Sequence, residues 1–313
     1  MQIGFIGLGL MGASMASNLQ QAGYKLVVND RRREAAAAHL KDGAIWASTA
    51  AELAAQCAVV FTSLPGPPEM EAVSIGQDGL LQGLKPGAVH FDLTTNAPST
   101  IRRIHQLYAK KGVHLLDAPV SGGPKGAKSR RMAIWVGGDE ALYDTHKPLL
   151  DAMGDSPRYI GPIGAGAIAK LVHNAAGYAV QTALAEVMTM GVKAGVEPVA
   201  LWQAVRTGAL GRARTFDRLA DQFLPGTYEP PAFTLKLGHK DMTLATDLGR
   251  EIGVPMRLVT AAHAEMTEAL NRGWAHEDSR APMKLQNERA GVEIAADLQR
   301  IAAVLDEDPP FKG

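Results

Sequence analysis

Residues 4–19 read GFIGLGLMGASMASNL. Gly7, Gly9 and Gly12 stand between a short apolar run, QIGFIG, and a segment from Met11 to Ala22 that reads as helix and stops at Gly23. G-x-G-x-x-G by itself is a weak signal, because glycine is common in turns. Between a strand and a helix the spacing acquires a physical meaning. Gly7 permits a tight turn, Gly9 lets a pyrophosphate approach the backbone, and Gly12 lets the helix lie close to the strand. The helix N-terminus then offers free N–H groups and the positive end of its dipole to phosphates. The alternative is an ordinary strand–helix turn that holds nothing.

Downstream, YKLVVND reads as a second strand ending at Asp30, 18 residues after Gly12. An acid at that place bonds the ribose hydroxyls of a bound dinucleotide. A carboxylate there also repels a 2′-phosphate, which favours NAD. Arg31, Arg32 and Arg33 follow at once, and arginine is the usual phosphate partner, so NADP stays open. Those arginines also suit a solvated helix start. Leu10, Met11, Asn29, Arg31, Leu64 and Pro65 complete the expected cofactor-binding set around Gly7, Gly9, Gly12 and Asp30.

The alternation continues. AVVFTSL, AVHFDLTT, VHLLDAPV and MAIWVGG read as further strands, separated by helices or glycine-rich loops, and a second helix is expected from Arg33 to Lys41. Strand–helix–strand units at this spacing predict a parallel sheet wrapped by helices, an α/β Rossmann-type doubly wound domain. From about Gly164 the strand signals fade. A helix of roughly 30 residues is expected over GAGAIAKLVHNAAGYAVQTALAEVMTMGVKAG, despite Gly177 and Gly191. Further helices are expected at Pro198 to Thr207, Leu237 to Ile252, Arg257 to Arg272 and Val292 to Leu305. The expected division is a dinucleotide-binding domain over 1–162 and an all-helical domain over 163–313. The tail DEDPPFKG is expected to fray.

Composition narrows the classes. The chain has 313 residues, with 32 basic against 32 acidic side chains. That balance points to no nucleic acid and no anionic membrane surface. Cys57 stands alone, which suits a reducing compartment. The N-terminus lacks a basic leader, and no run of eighteen uninterrupted apolar residues occurs. The expectation is a cytoplasmic protein acting on a small molecule. The nine histidines show no metal-ligand spacing, so no metal is expected.

Four later stretches carry a resemblance. DAPVSGGPKGA (Asp117 to Ala127) resembles the substrate-loop signature of the β-hydroxyacid dehydrogenases, which include 3-hydroxyisobutyrate dehydrogenases and tartronate semialdehyde reductases. GAGAIAKLVHN resembles their catalytic helix, with Lys170 and Asn174 at the signature positions. DLTT followed by Pro98 resembles their cofactor loop, with Thr95 at the contacting position. FTLKLGHKDMTLA (Phe233 to Ala245) resembles their late lysine motif, placing Lys240 near the nicotinamide. The landmarks fall in the family's order. They imply a Rossmann domain joined to an all-helical one that supports a homodimer or homotetramer, and reversible oxidation of a short β-hydroxyacid.

The residues make chemical sense on their own. Lys170 and Asn174 are four apart, so on a helix they share a face. Removing a hydride from an alcohol needs a group to take the hydroxyl proton, and a lysine does so once burial lowers its pKa. Ser121, Gly122 and Gly123 offer a hydroxyl and unhindered N–H groups suited to a carboxylate. His173 is either a substrate contact or a packed helix residue. Its KLVHN setting resembles the 6-phosphogluconate dehydrogenases, whose helix carries a catalytic glutamate where this chain has Gly177. An oxidative decarboxylase of that kind is the alternative function, and a non-catalytic dinucleotide-binding module another. After the loop, relatives usually read Gly-Thr-Leu where this chain has Arg130, Arg131 and Met132. A substrate with a second anionic group would find its nearest cationic partners in Arg130 and Arg131.

Overall fold

Strand β1 (Gln2–Ile6) runs through the middle of a sheet because its side chains are buried on both faces, as a parallel interior strand requires. The computed structural model describes residues 2–212, 214–215, 217–291 and 293–307, with backbone alone at some helical positions, Lys240 and Asp241 among them. The chain divides into two compact units, Met1–Ala176 and Gly177–Gly313.

The first unit alternates strand and helix. β1 is followed by α1 (Gly12–Gln21), β2 (Lys25–Asn29), α2 (Ala37–Lys41), β3 (Ile45–Trp46), α3 (Ala50–Gln56) and β4 (Val59–Thr62). Next come α4 (Pro67–Ile75), α5 (Leu80–Gly83), β5 (Val89–Asp92), α6 (Pro98–Ala109) and β6 (His114–Asp117). The last part holds β7 (Val120–Ser121), α7 (Gly123–Ser129), β8 (Ala133–Gly137), α8 (Glu140–Met153) and β9 (Ser156–Gly161). The sheet order is β3-β2-β1-β4-β5-β6-β8-β7, with β9 on the other side of β8. β1 to β6 pair in parallel, whereas β8 runs antiparallel to β6 and β7. The crossovers reverse between β1 and β4, and a ligand crevice forms at such a point.

Alternate residues feed two cores. Ile3, Phe5, Val28, Phe61 and Phe91 face α1 and α8; Ile6, Val27, Val60 and Leu115 face the α3–α6 side, where Tyr108 of α6 joins the same core. Phe5, Phe61 and Phe91 are in register across three strands and stack with centroids 6.2 and 5.2 Å apart. Cys57 is buried at the edge of the second core.

Helix α9 (Ala165–Lys193) begins in the first unit and continues into the second. The second unit adds α10 (Pro198–Arg206), α11 (Ala209–Arg212), α12 (Leu235–Glu251), α13 (Arg257–Asn271), α14 (Met283–Ala290) and α15 (Leu298–Glu307). Gly191 explains one interruption in α9: a Cβ there would lie 2.5 Å from Leu201 of α10, so the glycine permits close helix packing. The Glu186 carboxylate accepts the N–H groups of Leu258 and Val259, capping α13 from a neighbouring helix. Among the described residues no helix is long and apolar enough to cross a membrane.

Some expectations change. Arg33 to Lys41 is a 3₁₀ turn (Arg33–Ala36) followed by the short α2. The glycine-rich stretch after Ser121 is largely helical: Gly122 supplies the N-cap, Pro124 stands in the first turn, and Lys125 to Ser129 continue it as α7. The last helix starts at Leu298 rather than Val292, a residue outside those described. Asp306 and Glu307 of the tail belong to it, and residues 308–313 lie outside the described residues.

Candidate functional site

The three opening glycines have different reasons to be glycine. Gly7 turns the chain out of β1 with φ +91°, and a Cβ on it would sit 2.2 Å from the Ser63 carbonyl oxygen. A Cβ on Gly12 would sit 1.9 Å from the Gly7 carbonyl oxygen. Backbone closes both positions. A Cβ on Gly9 would meet no atom within 4 Å; it would stand in an open groove of about 910 Å³. Helix α1 starts at this groove with no side-chain cap and no acid in its first turn. Its first N–H groups and positive dipole end are left for an anion. A cradle that one methyl group would fill, at a bare helix N-terminus, fits a dinucleotide pyrophosphate.

The structure gathers the expected cofactor residues along this groove: Gly7, Gly9, Leu10, Met11, Gly12, Asn29, Asp30, Arg31, Leu64 and Pro65 all line it. Leu10 is 84% exposed over its rim. The Asp30 carboxylate also serves the protein. Its Oδ2 accepts the Leu8 N–H at 2.7 Å and its Oδ1 the Arg32 N–H at 2.9 Å, tying the glycine loop to the end of β2. Asn29 Nδ2 donates to the Ala47 carbonyl at 2.9 Å. Arg33 lies over the Trp46 ring at 5.6 Å, and both border the groove, a pairing not expected from sequence. Thr95 is exposed on the loop after β5, outside the groove lining. The Lys240 side chain lies outside the described residues, its backbone falling in α12.

A second cluster forms where α9 meets β6 and β8. Asp117, at the end of β6, accepts the Gly164 N–H at 2.7 Å and the Ala167 N–H at 2.6 Å. One buried carboxylate thus fixes the first turn of α9. Burial raises its pKa, against these hydrogen bonds. Gly166 lets α9 lie against β8, since a Cβ there would be 2.1 Å from the Trp135 carbonyl oxygen. One turn further on are Lys170, His173 and Asn174. Lys170 is half-buried, and burial holds its ammonium below the usual lysine range. Among the described residues no carboxylate pairs with it. The His173 ring packs on Trp135 at 5.2 Å, with its Nδ1 3.2 Å from Asn174 Oδ1. At Gly177 a Cβ would meet nothing within 4 Å, so space does not forbid a side chain there.

Ser121 enters through β7, in register with Ala133 of β8, the strand that carries Trp135. Gly122 and Gly126 are glycines for packing: a Cβ on either would fall within 2.8 Å of the Arg131 carbonyl oxygen. Gly123 is open, with nothing within 4 Å. Arg130 ends α7 in the left-handed region, φ 61°, and its guanidinium donates to Gln21 Oε1 at 2.8 Å. It thus braces α1, and Arg131 beside it is exposed. Sequence reasoning also missed Asp117 and Trp135. Asp117 was visible as an acid closing an apolar strand, but its partners lie 47 and 50 residues away.

A parallel sheet with a glycine loop and an uncapped helix at its switch point defines a dinucleotide-binding protein. Residues 2–161 match the NAD binding domain of 6-phosphogluconate dehydrogenase, and residues 164–286 the NAD-binding region of NADP-dependent 3-hydroxyisobutyrate dehydrogenase. The chain is 32% identical over 294 residues to 2-(hydroxymethyl)glutarate dehydrogenase of Eubacterium barkeri, covering 94% of this chain and 97% of that one. It is 37% identical over 254 residues to an uncharacterized oxidoreductase of Bacillus subtilis, covering 81% and 88%. The solved Mycobacterium tuberculosis 3-hydroxyisobutyrate dehydrogenase with L-serine superposes with a TM-score of 0.63 at 29% identity, covering 91% and 98%. The chain belongs to the β-hydroxyacid dehydrogenase family, and is an oxidoreductase that uses a nicotinamide dinucleotide.

Proposed function

We propose that the protein interconverts a short β-hydroxyacid and its carbonyl form, with Lys170 as general acid and base and NAD as the preferred dinucleotide. The observation that carries this reading is Lys170 itself: half-buried, without a carboxylate partner among the described residues, and depressed in pKa by burial. It stands one turn beyond an Asp117-fixed helix start. Bound in the groove, the nicotinamide would supply the hydride acceptor for oxidation and the donor for reduction. Lys170 Nζ takes the hydroxyl proton in oxidation and returns it to the carbonyl oxygen in reduction. Asn174, four residues on, orients the reacting oxygen, and Ser121 with the Gly123 N–H receives the substrate carboxylate. The family's late lysine motif assigns Lys240 to the nicotinamide end. His173, packed against Trp135 with its ring tilted, walls the same helix face.

NAD preference rests on Asp30, whose carboxylate lines the groove where a 2′-phosphate would add like charge.

Replacing Lys170 with Met keeps the stem and removes the amine. Turnover is expected to fall by about 10²–10⁴-fold, the range of a lost general acid–base group, with NADH affinity little changed. The pH dependence has a definite sign. Oxidation needs the free amine, so its kcat/KM rises with pH through the depressed pKa; reduction needs the ammonium and falls through the same pKa. Both limbs should vanish in Lys170→Met. A variant with nearly full turnover removes Lys170 from the reaction.

A further inference from the structure

A file of buried polar side chains runs behind the dinucleotide groove, and the proton chemistry of Lys170 makes no use of it. Thr62 closes β4 and Asp92 closes β5, in register with each other. Both are fully buried, as are His90 and Tyr108. Thr62 Oγ1 is 2.9 Å from Asp92 Oδ1 and 2.9 Å from His90 Nε2, and His90 Nδ1 is 3.2 Å from the Tyr108 hydroxyl. The loop after β5 closes on the same carboxylate: the Thr94 N–H donates to Oδ1 at 3.1 Å and Asn96 Nδ2 to Oδ2 at 3.1 Å.

The direction of every proton follows from one charge. An ionised carboxylate only accepts, so Thr62 must donate to Asp92. Thr62 then accepts from His90 Nε2–H, which leaves His90 Nδ1 to accept from the Tyr108 hydroxyl. His90 is neutral, its pKa pulled down to about 3 by burial. Two loops hang on this arrangement. Thr94 Oγ1 accepts the Leu64 N–H at 3.0 Å, tying down the loop that brings Leu64 and Pro65 to the groove. Asn96 Oδ1 accepts the Ala97 N–H at 2.8 Å, and Thr95 lies between the two tethered residues. Burying a carboxylate costs several kcal/mol unless its bonds are made. A core needing only stability would have an apolar residue here.

We propose that Asp92 is a positioning residue for the dinucleotide: through Thr94 and Asn96 its ionised carboxylate sets the two loops beside the groove, and the protonated form binds the cofactor weakly. The inference rests on the dinucleotide groove and is independent of the role given to Lys170. Protonation turns one acceptor oxygen into a donor: on Oδ2 the proton meets the Asn96 amide donor to donor and that tether is lost, and on Oδ1, where the Thr62 hydroxyl can turn to accept it, the neutral oxygen holds the Thr94 N–H more weakly. Burial pushes Asp92 up to about 6, against the bonds from Thr94, Asn96 and Thr62. One further carboxylate stands beside it: Asp117 of β6, in register with Asp92, is raised by burial too, but its oxygens are taken by the Gly164 and Ala167 N–H groups, so a pH limb in cofactor binding belongs to Asp92 only if Asp92→Asn abolishes it. The other groups facing it do not titrate nearby. From β5 comes His90, already neutral, and from α6 Tyr108, raised by burial. β4 offers Thr62, and α4 offers Met70 and Ser74. No histidine is among the described residues lining the groove.

The test is NADH binding to the full chain, by fluorescence titration without substrate, between pH 5 and 8. Wild-type Kd should rise about tenfold from pH 7 to pH 5 if only the ionised form binds well. Asp92→Asn should bind weakly at every pH, with no such limb. Thr62→Val and Asn96→Ala each remove one donor to the carboxylate, so each should move the limb to higher pH. A wild-type Kd that is flat from pH 5 to 7, or an unchanged limb in Asp92→Asn, overturns the proposal. If Asp92→Asn does not fold, unmoved limbs in both other variants overturn it as well. Loss of turnover in Lys170→Met leaves these binding curves untouched, so the two readings fail separately.

Discussion

Two acceptor directions of the Asp30 carboxylate are taken by the chain's own N–H groups, on Leu8 and Arg32. An ionised carboxylate has about four such directions, so room is left for ribose hydroxyls. This dual use sharpens what a substitution should do. Asp30→Asn removes the charge that opposes a 2′-phosphate, so kcat/KM with NADP is expected to rise. The new amide also places a donor opposite one backbone N–H, which loosens the glycine loop, so NAD affinity is expected to fall in the same variant. Steady-state kinetics with both cofactors check this; a wild type that already prefers NADP would hand the decision to Arg31 and its neighbours. Asp30 and the glycines were legible because local spacing encodes them. Asp92, Asp117 and Trp135 were not, because their roles are set by partners on other strands and helices that no window of sequence contains.

At the scale of elements, α9 was readable over nearly its whole length because its composition outweighs two internal glycines. β9 was not. Its sequence SPRYIG holds a proline and an arginine, and only its pairing with β8 makes it a strand. β3, with two residues, carries too little pattern to be read. The end of α7 shows why glycine would suit the position of Arg130. The position needs a left-handed backbone, which costs a residue with a Cβ roughly 1 kcal/mol relative to glycine. Relief of that strain is expected to raise the stability of Arg130→Gly by at most about 1 kcal/mol, less the extra unfolded-state freedom of glycine and the small loss of an exposed bond to Gln21. Thermal unfolding should show a higher Tm. A lower Tm would mean that the brace to α1 matters more than the backbone conformation.

Across the whole chain, equal numbers of acidic and basic residues leave no net charge to attract partners of one sign. Apolar surface is the more informative feature. In the second unit, Tyr178 is 69% exposed, Leu184 50% and Trp202 53%, with Val199 and Val205 exposed beside Trp202 on α10. Exposed apolar residues on two helices are what an association surface would present. We expect a homo-oligomer that covers them. Light scattering should give a mass above one chain for the wild type, and Trp202→Glu or Leu184→Glu should shift it toward the monomer. A monomeric wild type would end that reading.

The solitary thiol has a practical corollary. Cys57 is buried and its pKa is pushed up to about 12, so almost none of it is thiolate at neutral pH. Alkylating reagents should therefore pass the folded protein by. A cysteine engineered at an exposed position would be the one reactive handle on the chain, and a dye or spin label would attach there without a background to subtract. Conversely, the slow appearance of a labelled Cys57 would time the opening of the core at the end of α3, giving a clock for local unfolding that needs no mutation.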